Sequence, residues 1–114
     1  MVKSRLVDQM VIFDIEGDFS ADEFYAEFEN WLSKQEEVKG FIVDVSEVIK
    51  HPAVEQRKAA AFLKKYELNS PYAVVGKDES IARMVGIYER FTKGKVPKYF
   101  TSVEDAKGWV LEQA

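Results

Sequence analysis

The sequence predicts an α/β fold, a mostly parallel sheet of four to five strands with four helices, built as β-α repeats. Three observations carry that expectation. The apolar residues switch between a two-residue rhythm, as in MVIFDIEG, and a 3.6-residue rhythm, as in Phe24, Phe28, Trp31 and Leu32. FIVDV and YAVVG carry the dense apolar runs expected of strands buried on both faces. Short connections with right-handed crossovers then make the inner strands parallel.

The elements follow in order. Val2 to Leu6 reads as a leading strand, hairpinned through Val7-Asp8-Gln9 onto MVIFDIEG. In that second strand Val11, Phe13 and Ile15 share a buried face, while Ile12, Asp14 and Glu16 take a partly wet one. Ser20 with Glu23 three residues later fits a capping box, opening a helix whose stripe is Phe24, Phe28, Trp31 and Leu32. Gly40 restarts the chain into the strand FIVDV, ended by Asp44, and a polar turn VIKHPA follows. Pro52 suits the first position of a second helix with Ala59, Phe62, Leu63 and Tyr66 inward. YAVVG is the next strand, ended at Gly76. Ser80 caps a third helix with the stripe Ile81, Met84, Val85, Tyr88 and Phe91, closed by Gly94. Val96 to Phe100 is a short strand placed at an edge by Pro97, which cannot donate to a ladder. Ser102 and Asp105 cap a last helix carrying Val103, Ala106, Trp109 and Val110.

Composition narrows the function classes. The 114 residues, 46% of them hydrophobic, suffice for one domain spanning 1–114 with its own core. Cysteine is absent, which removes disulfides and thiolate chemistry. A net charge of −4 argues against general nucleic-acid binding. No apolar stretch is long enough for a signal peptide or stable membrane insertion, so a cytoplasmic setting is expected.

At the carboxyl edge of such a sheet, where ligands and partners usually sit, the candidate residues are Glu16, Asp18, Asp44, Ser46, His51 and Lys77. Glu16, Asp18 and Asp44 could hold a hard cation through oxygen ligands, but they lack the DxDxDG spacing, and the reading preferred is solvated or capping carboxylates. His51, the single histidine, could be a general base or an anion contact; without a nucleophile near it in sequence, a turn residue or helix cap is preferred. Lys77 follows Gly76 in VVGKDES, where one glycine falls far short of a phosphate loop and two acids oppose a phosphate. The basic residues Arg90, Lys93, Lys95 and Lys98 stand where a helix C-terminus takes cations. No cofactor or metal is expected, and an enzyme using Asp44, Glu16 and His51 would need the three to converge on one point.

The layout resembles the STAS family, in its SpoIIAA-like branch, which is grouped structurally with CRAL-TRIO lipid-binding domains. The resemblance rests on VIFDIEGDFSADEF, on FIVDVSEV and on the tail YERFTKGKVPKYFTSVEDAKGWV, and it spans nearly the whole chain. It implies a SpoIIAA-like fold and a regulatory module acting by contact with a protein partner or by self-association, without catalysis. In switch-type members a serine at the strand-to-helix turn is phosphorylated. The matching stretch VIKHPAV has no hydroxyl, and the nearest serine is Ser46, so the switch is expected to be missing. The alternative implied by the CRAL-TRIO kinship is a carrier of a small apolar or lipid-like ligand, supported in this chain only by its surplus of aromatic residues.

Overall fold

In the computed structural model, residues 1–34, 37–50, 52–66, 70–77, 79, 82, 83 and 98–113 are described. Five strands and three helices stand among them: β1 (Val2–Val7), β2 (Met10–Asp18), α1 (Ala21–Ser33), β3 (Gly40–Lys50), α2 (Ala53–Tyr66), β4 (Tyr72–Val75), β5 (Lys98–Phe100) and α3 (Val103–Gln113). The strands form one sheet in the order β1-β2-β3-β4-β5, antiparallel only at β1–β2. The expected helix between β4 and β5 lies outside the described residues, apart from Glu79, Ala82 and Arg83, which are helical. The side chains of Phe62, Leu63 and Tyr66, expected inward from α2, lie outside them too, as do Gly94, Val96 and Pro97.

The leading strand is present and one residue longer than expected. Val7 pairs with Met10, leaving Asp8 and Gln9 as a two-residue turn with φ of 50° and 65°. Positive φ at both positions marks the type I′ turn, whose twist matches that of the strands it joins.

Both sheet faces are covered. On one, Val11, Phe13, Ile15, Phe41, Val43, Val45 and Tyr72 pack against Phe24 and Phe28 of α1. The Phe13 ring centroid lies 5.3, 5.7 and 6.4 Å from those of Phe24, Phe28 and Phe41, distances at which edge and offset-stacked pairs attract. On the other face, Met10, Ile12, Ile42, Ala73 and Val75 pack against Ala106 and Val110 of α3. The expected wet face of β2 is therefore dry at Ile12, and Asp14 is only half-buried, with Arg5 Nε 3.2 Å from its Oδ2. The helix starts match their local signals: the N–H groups of Glu23 and Asp105 donate to Ser20 Oγ (3.4 Å) and Ser102 Oγ (3.2 Å). Leu32, placed in the α1 stripe by spacing, is instead 42% exposed, beyond the reach of the sheet.

The main departure is the length of β3. The sequence places the strand's end near Asp44 with a polar turn after it, yet pairing with β2 continues to Lys50. Asp14 pairs with Asp44, Glu16 with Glu47 and Asp18 with Lys50, so two register shifts give β3 two more residues than β2 over the same length. Such bulges bend and twist a strand while keeping it in the sheet. Asp44 is thus mid-strand, Ser46 is in the strand and not in a loop, and Glu16 and Asp18 still belong to β2. Pro52 precedes α2 and accepts from the N–H groups of Glu55 (3.0 Å) and Gln56 (3.1 Å) through its carbonyl. It is the residue before the helix, not its first.

Candidate functional site

The bulged ends of β2 and β3 and the start of α2 form a corner at the carboxyl edge of the sheet. Backbone and side-chain bonds fix it. Phe19 N–H donates to the Lys50 carbonyl at 3.0 Å, which holds the β2–α1 connection against the end of β3. Glu55, in the first turn of α2, accepts from the Ala21 N–H through Oε2 at 2.8 Å. That carboxylate satisfies an orphan donor of α1 and lies at the positive end of the α1 dipole. Lys58 Nζ stands 3.9 Å from the other oxygen of Glu55.

The sequence candidates fall into two rows. In the outer row Glu16 of β2 is level with Glu47 of β3, and Lys77, just past β4, places Nζ 4.0 Å from Glu47 Oε1. These three groups are solvent-exposed, so the pair contributes at most a few tenths of a kcal/mol. Asp18 is exposed and level with Lys50. In the inner row Asp44 Oδ1 accepts from Ser46 Oγ at 2.6 Å and from Ser46 N–H at 2.9 Å. This local loop of bonds supports the bulged stretch and engages the Ser46 hydroxyl. His51 lies outside the described residues. Among the described candidates, Glu16, Asp18 and Lys77 are exposed at the outer row, while Asp44 and Ser46 bond to each other at the inner one. Among the described residues, no three His, Asp or Glu side chains are grouped closely enough to hold a metal ion.

What the corner presents instead is apolar surface that the sequence reading passed over. Ile49 is 78% exposed and Val54 is 51% exposed, and they flank Pro52, itself exposed. All three sit within VIKHPAV, and the sequence carries a signal for them in three branched apolar residues, Val48 and Ile49 inside the stretch read as a polar turn and Val54 just after it. Glu47 and Glu55 were also missed, since their roles depend on partners distant in sequence. The aromatic residues of α1 do not line an opening here; Phe24 and Phe28 are spent on the core. No described helix is long and apolar enough to cross a membrane.

No family model matches the chain, and no curated protein matches it in sequence. Its fold is nevertheless shared with solved structures. RsbS from Moorella thermoacetica, in a serine-to-glutamate form, superposes with a TM-score of 0.75 at 16% identity, over 98% of this chain and 96% of that one. An anti-sigma factor antagonist from Mycobacterium paratuberculosis gives 0.75 at 14% identity, over 97% and 93%. A DUF3478-family protein with a SpoIIAA-like fold from Shewanella loihica gives 0.69 at 17% identity, over 96% and 92%. At such identities the likeness establishes the fold, and the fold is SpoIIAA-like.

Proposed function

We propose that this chain is a non-catalytic regulatory module that docks a protein partner at the β3–α2 corner, without a phosphorylation switch. The observation that carries the reading is the exposed pair Ile49 and Val54 on a corner braced by Glu55 and the Lys50 carbonyl. Exposed branched side chains on a rigid edge gain from desolvation by a partner without a large ordering cost. The kinship of fold supports the class, because solved structures of this shape include anti-sigma factor antagonists and a stressosome component. Two features support the missing switch. The first turn of α2 exposes Ala53 and Val54, neither of which has a hydroxyl. The Ser46 hydroxyl is engaged by Asp44, and a phosphate on it would face that carboxylate.

Retention of protein from a bacterial lysate on the immobilised chain tests the proposal, with the Ile49→Asp/Val54→Asp chain beside it. A discrete retained protein, reduced at least about fivefold by the double substitution, is expected; a fivefold loss is about 1 kcal/mol. Equal retention by both chains, or none by either, overturns it.

A further inference from the structure

The two helices on the α1 side of the sheet carry opposite charge toward solvent. On α1 the exposed positions Asp22, Ala26 and Glu29 fall at i, i+4 and i+7, one stripe that is acidic with a small residue at its centre. On α2 the exposed positions Val54, Arg57, Lys58 and Ala61 fall at i, i+3, i+4 and i+7, one stripe that is basic with apolar ends. The helices touch, and the Glu55–Ala21 bond ties their N-terminal ends together. With a rise of about 1.5 Å per residue, Arg57 and Lys58 lie about 3–5 Å beyond Glu55, and Asp22 to Ala26 lie about 2–8 Å beyond Ala21. The bases of α2 are thus level with the acids opening α1.

We infer that this face binds a second copy of the chain in an isologous pair, α1 of each copy lying over α2 of the other. The proposal rests on the reading of the chain as a binding module and names a partner for it. The charge pattern selects the symmetry axis. A two-fold axis running along the helices, midway between them, carries α1 over the partner's α2 at unchanged height and sets acid against base twice. A two-fold axis across the helices lays α1 on the partner's α1 and α2 on the partner's α2, and like charges meet. Ala26 and Ala61 at the stripe centres let the helix axes approach. Because the attraction is between exposed charges, the pair weakens with salt as the screening length falls from about 10 Å at 0.1 M to about 3 Å at 1 M.

Sedimentation velocity across a concentration series tests the inference. The unaltered chain is expected to dimerise, with the dissociation constant rising about tenfold or more between 0.05 and 1 M salt, a measurement that needs no variant. Two charge reversals follow, Asp22→Lys/Glu29→Lys on α1 and Arg57→Glu/Lys58→Glu on α2, each checked for folding by circular dichroism. Each reversed chain alone is expected to be monomeric, and an equimolar mixture of the two is expected to form the heterodimer. A monomer at every concentration, a dimer indifferent to salt and to both reversals, or a mixture that stays monomeric overturns the inference. The Ile49→Asp/Val54→Asp lysate experiment reads separately: partner capture that survives the Arg57→Glu/Lys58→Glu reversal leaves the docking proposal standing when the dimer fails.

Discussion

Gly40 shows how a single missing carbon lets the last helix close over the sheet. A Cβ built there would lie 2.5 Å from Val110 Cγ1 and 2.9 Å from the Pro71 carbonyl oxygen, and Pro71 accepts a 2.9 Å bond from the Phe41 N–H. Neither neighbour can retreat cheaply, since Val110 is fully buried and the carbonyl is backbone. Gly40→Ala is expected to cost about 1–3 kcal/mol as overpacking, seen as a lower urea midpoint at unchanged slope. Gly108, on the exposed side of α3 with nothing within 4 Å of an added Cβ, is the control. There the same change is expected to stabilise by about 0.5–1 kcal/mol, the ordinary helix preference for alanine. The sequence marks Gly40 only as a restart of the chain; the steric reason sits seventy residues away on α3 and leaves no local trace.

At the scale of elements, what the sequence makes legible is what local chemistry decides. Ser20 and Ser102 announce their helices because a cap needs only a hydroxyl and an N–H three residues on. The alternation in β2 identifies a strand, since period two has one backbone interpretation. The end of β3 is not legible in the same way. Asp44 reads as a terminus by polarity, yet the strand runs on through Lys50 because β2 supplies partners to Asp18 and two bulges absorb the difference in length. Ile49 reads as an ordinary apolar residue until that bent path leaves it in solvent. Glu55 is another nonlocal case: from sequence it is a first-turn acid of α2, and in the fold it caps α1, thirty-four residues back. Glu55→Ala is expected to lose about 1 kcal/mol in urea unfolding and to speed amide exchange in the first turn of α1. Glu55→Gln, which keeps an acceptor oxygen and drops the charge, is expected to lose less. Equal losses for the two would place the contribution in charge alone.

For the whole molecule, the covered faces and the open corner are two consequences of one topology. Successive parallel crossovers from β2 through β4 lay α1 and α2 on one side, and α3 returns along the other. The sheet's middle is then dry on both faces, and its carboxyl edge is the place where functional residues remain in reach of solvent. The sequence makes the SpoIIAA-like fold legible and offers Glu16, Asp18, Asp44 and Lys77 as candidates for that edge, but not Glu47 or Glu55. It did not find the apolar pair, because exposure is a property of the folded chain and not of residue type. A photo-crosslinking side chain placed at Val54, compared with one at Gln113 at the far end of α3, measures where partners arrive. The account predicts a discrete protein adduct from position 54 that Ile49→Asp suppresses, and none from position 113. Adducts of equal yield at the two positions, or none at position 54, would contradict it.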